Sequence, residues 1–375
     1  FRRVLFRSTW EATTKRVTPA FLAANTVSSL LAKSDFELEG YGRLTHPLVY
    51  DRDSDTLRPV AWEQAFARIG KILRGLQPDE VEFYTSGRAS NEAAWLFQLF
   101  AREYGTNNFP DCSNMCHEST SVGLPQSIGI GKGTVSLDDF DQTELVISIG
   151  HNPGTNHPRM MGTLHELSRR GVPIIVFNPL RERALERFAD PQNVMEMATR
   201  RSTPIASTYY QVRAGGDAAA LKGIAKALLQ LEEEQGNVLD HAFIAQHTQG
   251  FTAFADDLHA TRWQDIEQES GLTRESLTQV AAAYAKSRAT IVTYGMGITQ
   301  HNKGTSNVRL IADLLLMRGN IGKPGAGICP LRGHSNVQGN RTVGISEKPS
   351  AAFLDSLQRV MGITPPRHHR SEEHT

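Results

Sequence analysis

The sequence predicts an α/β fold in which parallel strands form sheets that are covered by helices on both faces. Short apolar runs alternate with longer amphipathic stretches along the chain, and polar turns rich in glycine follow the apolar runs. The chain has 375 residues, which is long enough for two or three domains. In parallel sheets, ligands bind at the carboxyl ends of the strands, so the glycine-containing turns are the predicted binding positions.

The predicted elements follow from periodicity and from the residues that begin and end each run. A polar stretch at 217–287 has helical periodicity. Pro158 suits the first turn of a helix. Residues 319–339 contain too many Gly and Pro for a helix or strand interior and are predicted to be a structured loop. The remaining elements are predicted as strands at 81–85, 145–149, 172–177 and 289–294 and as helices at 92–104, 158–170 and 305–318.

Composition excludes several classes of protein. The 40 basic residues balance the 40 acidic ones, so no bulk nucleic-acid or membrane partner is indicated. No apolar run is long enough to span a bilayer. The three cysteines, Cys112, Cys116 and Cys329, are too few for a disulfide framework and favour a reducing compartment, which we expect to be the cytoplasm.

Cys116 is the most informative residue, because it stands at the predicted start of a helix and is followed by His117. A thiolate in that position is stabilised by the helix N-terminus and is a good ligand for a soft metal. The adjacent imidazole can serve as acid, base or hydrogen-bond donor. Two other interpretations stay open: a lone cysteine is often a small buried apolar residue, and Cys112, Cys116 and His117 could begin a zinc site, although no second ligand pair has suitable spacing.

Four turns after predicted strands are candidates for nucleotide binding. Their glycines permit close backbone approach, and their Asn, Asp and Gln side chains suit hydrogen bonds to bases or riboses. No GxGxxG or Walker A motif is present, and the glycine-rich run at 129–133 fits neither. Each turn taken alone also fits an ordinary tight turn. The four lie at 150–158, 177–180, 215–217 and 295–300.

In combination, these turns and three further blocks resemble the molybdopterin oxidoreductases related to formate dehydrogenase. The blocks are Thr-Ser-Gly-Arg-Ala-Ser-Asn-Glu at 85–92, Gly-Thr-Asn-Asn at 105–108 and Cys-His-Glu-Ser-Thr at 116–120. The resemblance implies the multidomain architecture of formate dehydrogenase and DMSO reductase, of which this chain is expected to be an incomplete part. It also implies a two-electron oxidoreductase whose molybdenum is held by two molybdopterin guanine dinucleotides. The implied partners are a small anionic substrate, with formate as the default, and an electron-transfer partner.

The same resemblance implies roles for individual residues. Cys116 falls at the molybdenum ligand, and Arg332 falls at the substrate-facing arginine, whose guanidinium can hold a small anion by two hydrogen bonds. His117 would assist proton or hydride transfer beside the thiolate. Cys116, His117 and Arg332 are therefore the predicted catalytic residues. The predicted cofactor-binding residues are Arg88, Gly150, Asn152, Asn156, His157, Asn178, Pro179, Gly216, Asp217, Met296, Gln300 and Gly333.

Two departures leave the substrate open. His334 stands where formate dehydrogenases have Gln, and Asn178 stands where the family commonly has an acidic residue. Both features, and the Cys-Pro-Leu-Arg-Gly-His block at 329–334, are those of one formate-dehydrogenase-like branch. The alternatives are a molybdopterin-binding relative without catalysis and a cysteine-based zinc or redox-sensor domain. The presence of Cys116, His117 and Arg332 together favours the enzyme.

The resemblance covers about residues 10–366, and both ends outside it look like translated adapter sequence. Family members also carry a 4Fe–4S cluster, which is expected in the full-length protein although its cysteine ligands are absent from this chain. This chain alone is expected to be inactive. The expected organisation is a foreign tail at 1–9, a remnant of an N-terminal domain at 10–57, the first part of an α/β domain at 58–113, an α/β dinucleotide-binding domain at 114–338, a return to the first α/β domain at 339–366 and a foreign tail at 367–375.

Overall fold

A computed structural model describes residues 14–199 and 201–368. The predicted foreign tail at 1–9, and all but residues 367 and 368 of the one at 367–375, lie outside the described residues. Among the described residues, no helix has both the length and the apolar character needed to cross a membrane.

The chain divides into two compact units. The first comprises residues 14–83, 97–109 and 347–368, and the second comprises 84–96 and 110–346. The domain bounds expected from the sequence stay a prediction.

The three helices predicted with explicit bounds agree with the structure within two residues at each end, because their apolar periodicity is strong. The helices that precede the main sheet are Pro19–Ala24, Val27–Leu31, Asp35–Gly40, Trp62–Arg74, Asn91–Tyr104, Cys112–Cys116, Glu118–Ile128 and Asp139–Gln142, with a 3₁₀ turn at Pro78–Glu80. The others are Pro153–Asn156, Met160–Arg169, Arg183–Glu186, Val194–Thr199, Asp217–Gln235, His241–His247, Phe251–Ala260, Trp263–Ser270, Arg274–Lys286, Met296–Thr299, Gly304–Leu316, Val337–Thr342 and Ala351–Met361.

The first unit contains helices and two short strand pairs. Arg16–Val17 pairs in parallel with Arg43–Leu44, and Leu48–Asp51 pairs antiparallel with Thr56–Pro59. The buried ring of Phe83 packs against an aromatic cluster, which supplies much of the apolar contact in this unit. The cluster consists of Phe97, Phe100, Tyr104 and Phe109.

The predicted strand at 81–85 is wrong. Phe83 donates one backbone hydrogen bond to the carbonyl of Asn108. In the second unit, Thr85 forms an isolated parallel bridge with Asp111. A strand needs a continuous ladder of such bonds, so β-branched and aromatic composition alone was not sufficient to form one here.

The second unit is built on a five-stranded parallel sheet. Its strands are β1 Leu145–Ile149, β2 Ile174–Phe177, β3 Thr208–Tyr210, β4 Thr290–Tyr294 and β5 Gly327–Pro330. Their order across the sheet is β5-β4-β1-β2-β3, and every neighbouring pair is parallel. A small antiparallel pair, Arg187–Phe188 with Thr203–Pro204, lies outside this sheet. The parallel sheet predicted from the alternation of strands and helices is confirmed.

Helices cover both faces of the sheet, as predicted. Alternate residues of β1 enter different apolar clusters: Ile147 packs with the helices Asp217–Gln235 and Gly304–Leu316, whereas Val146 packs with Met160–Arg169. All five residues of β1 are buried. Burial of each large aliphatic side chain contributes about 1.5–3 kcal/mol, so the strands that carry the site are firmly held.

The prediction of a structured loop at 319–339 is wrong in part. Residues Gly327–Pro330 form β5, and Val337–Thr342 form a helix. Pro330 is the last residue of a strand at the edge of the sheet, where a missing N–H breaks no ladder hydrogen bond. The abundance of Gly and Pro therefore did not exclude an edge strand.

The register of the strands places four turns at one edge. Ile149 pairs with both Tyr294 and Phe177, and Tyr294 pairs with Pro330. Each of these residues is the last of its strand, so four strands end at nearly the same level of the sheet. The turns that begin at 150, 178, 295 and 331 consequently meet.

Candidate active site at the carboxyl edge of the sheet

The turns that begin at 150, 178, 295 and 331 enclose a cavity of about 150 Å³. Seven of the twelve predicted cofactor-binding residues line it, together with His151, Glu182, Gly295, Gly297 and Leu331. The seven are Gly150, Asn152, Asn156, His157, Asn178, Met296 and Gly333. The other five predicted residues, Arg88, Pro179, Gly216, Asp217 and Gln300, do not line this cavity.

Glycines at this edge bring two turns into direct backbone contact. Gly150 has φ +56°, and a Cβ there would lie 2.9 Å from the carbonyl carbon of Gly297. The Gly297 N–H donates to the Gly150 carbonyl at 3.1 Å. Glycine was predicted to permit close approach of the backbone, and Gly150 does so towards Gly297 in another turn of the protein.

Cys116 ends one helix and precedes another. It is the last residue of Cys112–Cys116, and His117 separates it from Glu118–Ile128, so the prediction that Cys116 begins a helix is wrong. The thiol is buried, and its Sγ lies 3.4 Å from the Sδ of Met296. Two soft sulfur atoms therefore meet beside the cavity that Met296 lines.

The turn that follows β4 fixes the backbone around Cys116. Thr299 Oγ1 donates to the Cys116 carbonyl at 2.6 Å, and Gln300 Nε2 donates to the Met115 carbonyl at 2.8 Å. Ser119 Oγ in turn donates to the Thr299 carbonyl at 2.9 Å. Gln300, predicted to bind the cofactor, thus uses its amide to support the cysteine segment.

The hydrogen bonds of His117 determine which ring nitrogen carries the proton. Nε2 lies 3.0 Å from the Leu331 carbonyl, which can only accept, so Nε2 is the donor. Nδ1 lies 3.0 Å from Thr120 Oγ1, and this hydroxyl lies 2.8 Å from the hydroxyl of Tyr294. A neutral imidazole satisfies the whole chain if Tyr294 donates to Thr120 and Thr120 donates to His117.

Burial keeps this group of residues neutral. Burial, and next the positive charge of Arg332, lower the pKa of His117 to about 4. Burial also raises the pKa of Tyr294 above its usual value. Both side chains are therefore uncharged near neutral pH.

Arg332 provides a positive charge with little compensation. Its Nη2 lies 3.4 Å from the Gly131 carbonyl, its Nε is buried without a hydrogen-bond partner, and no carboxylate among the described residues forms an ion pair with it. Burial lowers its pKa, although a guanidinium stays protonated at neutral pH. Arg332 lines a second cavity of about 250 Å³ with Lys132 and Arg341. A guanidinium in this setting is suited to bind an anion.

A pair of histidines lies next to Arg332. His151 Nε2 is 3.0 Å from His157 Nδ1, and His157 Nε2 is 2.7 Å from the Arg332 carbonyl. His151 is buried, and burial followed by the charge of His157 lowers its pKa to about 3. Sequence reasoning identified His157 but missed His151, although both lie in the turn after β1.

Other residues that support the site were also missed. Thr120 is three positions after His117 on one helix, and Tyr294 is the final residue of β4, so helical spacing and strand ends could have indicated both. Nothing in the sequence indicated Thr299.

The turn that carries Arg88 is attached to the segment after Arg332. The Asn336 N–H donates to the Gly87 carbonyl at 2.7 Å, and Asn340 Nδ2 donates to the Ser86 carbonyl at 3.0 Å. The side chain of Arg88 is exposed and lines neither cavity. The backbone of this turn, and not its arginine, makes the observed contacts.

Gly216 and Asp217, both predicted to bind the cofactor, lie outside the cavity. Asp217 is the first residue of Asp217–Gln235, with Gly216 immediately before it. The Asp217 carboxyl is buried, and burial raises its pKa. Its Oδ2 lies 4.0 Å from Nε2 of His301, and the Nδ1 of His301 is buried without a partner.

The structure gives no support to the zinc interpretation. In the described ranges, no group of three or more His, Cys, Asp or Glu side chains is arranged to hold a metal ion. Cys112 Sγ accepts a hydrogen bond from the Gly87 N–H at 3.1 Å, and burial raises the pKa of this thiol to about 11. Both ring nitrogens of His117 already have protein partners.

Comparisons with known proteins place the chain in a family. The family model described as molybdopterin oxidoreductase matches residues 43–362. The chain is 58% identical over 363 residues to the protein YdeP of Escherichia coli K12, covering 95% of this chain and 48% of that protein. The resemblance to one branch of the family, predicted from the sequence blocks, is confirmed by this relative.

Two more distant relatives widen the comparison. An uncharacterized oxidoreductase of Mycobacterium tuberculosis H37Rv is 45% identical over 361 residues, which cover 96% of this chain and 46% of that protein. The alpha subunit of F420-dependent formate dehydrogenase 1 from Methanococcus maripaludis is 33% identical over 301 residues, covering 79% of this chain and 40% of that protein. The chain thus spans about half the length, or less, of these relatives.

A solved structure shows the same fold. Acetylene hydratase from Pelobacter acetylenicus superposes with a TM-score of 0.59 at 18% sequence identity, covering 76% of this chain and 36% of that one. The matched family model spans most of the chain, and the strand-end turns described above lie within the matched residues. The chain belongs to the molybdopterin oxidoreductase family.

Proposed function

We propose that this chain is the catalytic part of an oxidoreductase that uses molybdenum bis(molybdopterin guanine dinucleotide), with Cys116 as the metal ligand. The observation that carries the proposal is the position of Cys116: its buried Sγ contacts Met296 where four strand-end turns meet. The family itself implies a molybdenum–molybdopterin cofactor. The guanine dinucleotide form and the ligand are the proposal.

The residues present fit such a cofactor. The cavity is lined by Asn152, Asn156 and Asn178, whose amide side chains suit a polar dinucleotide. His151 Nδ1 is buried and has no partner within the described residues. Gly216 and Asp217 would hold a guanosine end. When bound, the cofactor supplies the two-electron redox chemistry, and the thiolate of Cys116 is a suitable ligand for a soft metal.

Arg332 would bind the substrate. Its guanidinium forms no ion pair with a carboxylate of the described residues and lines a cavity with Lys132 and Arg341, so a small carboxylate or a similar anion would satisfy it. The neighbouring His117 is neutral and adds no charge of its own near pH 7. Arg332 then orients the anion near Cys116, in a cavity that Lys132 and Arg341 also line.

We further propose that His117 exchanges a proton beside the thiol. Its Nδ1 is linked through Thr120 to the phenol of Tyr294, which gives the proton a hydrogen-bonded path. The Nε2–H would leave the Leu331 carbonyl when it is given to a base beside the thiol, and Nδ1 would then take the replacement proton from the Thr120 hydroxyl.

Formate is the default substrate of this proposal, and the formate dehydrogenase relative supports it. His334 stands in place of the Gln of formate dehydrogenases, so a small anion other than formate is the second candidate substrate. We also propose that a 4Fe–4S cluster of the full-length protein passes electrons to a partner protein. The sparse cysteines support a cytoplasmic location.

Metal analysis of a full-length protein that contains this chain tests the proposal. The protein would be purified without oxygen from a host that makes the molybdenum cofactor, and about one molybdenum per chain is expected. Four irons per chain would accompany it if the cluster is present. Zinc alone, or no metal, would contradict the molybdenum assignment.

The role of Cys116 is tested by substitution. Cys116→Ser should lower formate oxidation, measured with an artificial electron acceptor, by at least about 100-fold, which corresponds to about 3 kcal/mol. Cys329→Ser is the matched control, because that thiol lies in β5 and contacts neither Met296 nor His117 in the structure. Full activity of Cys116→Ser would contradict the ligand assignment. Bound molybdenum without turnover of any small anion would favour the non-catalytic binding relative.

A further inference from the structure

Two histidines each donate a hydrogen bond to a backbone carbonyl, one in the residue before Arg332 and one in Arg332 itself. His117 Nε2 lies 3.0 Å from the Leu331 carbonyl, and His157 Nε2 lies 2.7 Å from the Arg332 carbonyl. A carbonyl oxygen can only accept, so both imidazoles must carry a proton on Nε2. The two donors come from different elements, one before a helix and one after β1.

The orientation of His157 is fixed by a second histidine. The other nitrogen of His157, Nδ1, lies 3.0 Å from His151 Nε2, and this hydrogen bond fixes the orientation of the His157 ring. The remaining nitrogen of His151, Nδ1, is buried and has no partner among the described residues. The two rings and the Arg332 carbonyl therefore form one hydrogen-bonded series.

This arrangement leaves His157 no nitrogen for a ligand. Its ring lines the cavity between the turns, and the resemblance to the family placed it among the cofactor-binding residues. Both of its nitrogens are nevertheless engaged by protein groups at 3.0 Å and 2.7 Å. We infer that His157, oriented by His151, is a positioning residue that holds the backbone of Arg332 and thereby sets where its guanidinium can bind an anion.

Arg332 depends on these backbone contacts because its side chain has few of its own. Nη2 makes one long contact of 3.4 Å to the Gly131 carbonyl, and Nε makes none. The Leu331 N–H continues the sheet by donating to the Tyr294 carbonyl at 2.8 Å. The hydrogen bonds that His117 and His157 donate to the carbonyls of Leu331 and Arg332 extend this order to two residues beyond β5.

A spectroscopic test on the unmodified chain needs neither cofactor nor substrate. Selective ¹⁵N labelling of histidine distinguishes the two neutral ring forms and the protonated ring. The Nε2 of His157 is expected to carry a proton that is hydrogen-bonded to a carbonyl, and the ring signals of His151 and His157 are assigned by their loss in His151→Phe and His157→Phe. A His157 ring with its proton on Nδ1 alone would overturn the inference.

Hydrogen exchange tests whether His157 orders the arginine segment. In His157→Phe, amide exchange in peptides covering 331–338 should become about five- to tenfold faster, and exchange in β1 and β2 should not change. His157→Gln places an amide N–H near the former Nε2 and should restore exchange to within about threefold of the original protein. His165→Phe is the matched control, because this buried histidine bonds Glu196 away from the site. Unchanged exchange at 331–338 in His157→Phe would overturn the inference.

The kinetic consequence rests on the proposed function. In the molybdenum-loaded full-length protein, His157→Phe should raise KM for formate about tenfold with a smaller change in kcat, and His157→Gln should recover most of it. Molybdenum content should match the original protein. Loss of molybdenum in both variants would identify His157 as a cofactor ligand and overturn the inference. If the original protein holds no molybdenum, the proposed function fails, and the spectra and hydrogen exchange still decide the role of His157.

Discussion

At the scale of single residues, one guanidinium and its neutral neighbours set the electrostatics of the site. Burial keeps the imidazoles of His117 and His151 uncharged, and it keeps Tyr294 protonated. The charge of Arg332 is therefore not reinforced by either imidazole, and no carboxylate of the described residues forms an ion pair with it, although the charge of Glu118 opposes the effect of burial, which lowers the Arg332 pKa. A site of this kind selects for a single small anion.

Loss of the Thr120 hydroxyl is predicted to lower the free energy of unfolding by more than a single hydrogen bond contributes. Thr120→Val would leave His117 Nδ1 and the Tyr294 hydroxyl without a partner inside the protein. Each unsatisfied buried group costs about 1–3 kcal/mol, so the free energy of unfolding should fall by about 2–4 kcal/mol in urea denaturation. Thr120→Ser keeps the hydroxyl and should lose less than about 1.5 kcal/mol. Equal losses in the two variants would refute the hydrogen-bonded chain.

The depressed pKa of His151 predicts how stability depends on pH. Its folded pKa is about 3, whereas an unfolded histidine titrates near 6.5, so unfolding takes up a proton between these values. The contribution of His151 is fully present above about pH 6.5 and falls by about 1.4 kcal/mol per pH unit on acidification towards pH 3. The free energy of unfolding in urea should depend less on pH in His151→Phe between about pH 4.5 and about pH 6.5. The difference in slope should correspond to about one fewer proton taken up on unfolding. Identical slopes would show that His151 is already protonated in the folded protein.

At the scale of elements, backbone contact between turns decides the shape of the site. Gly150→Ala should destabilise the protein by about 2–4 kcal/mol, because alanine is strained at φ +56° and its Cβ would meet Gly297. Gly162 lies in Met160–Arg169, and a Cβ at this position would have no atom within 4 Å, so Gly162→Ala is the matched control. That substitution should stabilise the helix by about 0.5–1 kcal/mol. Thermal unfolding of both variants checks the pair.

Elements were predictable where periodicity and burial agree. β1 was predictable from its apolar run, and Gly304–Leu316 was predictable from its apolar stripe. Both elements are buried in one large core. Residues 81–85 looked like a strand but lack a partner for a full ladder, and β5 was hidden by Gly and Pro although β4 supplies its partner. Strand pairing depends on a neighbour that is distant in sequence, and local composition does not reveal it.

At the scale of the whole molecule, the first unit exposes an apolar stripe. Trp62, Phe66, Ile69 and Ile72 lie along one side of Trp62–Arg74, and each is more than half exposed. Exposed apolar surface of this kind promotes association.

We predict that the isolated chain self-associates through this stripe. Phe66→Glu should raise the dissociation constant of the self-associated species at least about tenfold, measured by sedimentation velocity. Gln64→Glu adds one negative charge to the same helix off the stripe and should have little effect. Equal weakening by the two substitutions would mean that charge, and not the apolar side chains, controls association.

The sequence by itself determined the fold class and the family, and it indicated the residues that we propose to carry chemistry. Periodicity is local, and the blocks around Cys116 and Arg332 are contiguous in sequence, so both could be recognised without coordinates. Only the tertiary structure decided which residues meet. It brought Thr299 to the Cys116 carbonyl and His157 to that of Arg332, and it left Arg88 exposed and committed Gln300 to Met115. These contacts join residues as far as 185 positions apart, and their partners are set by strand order and register, which no local pattern encodes.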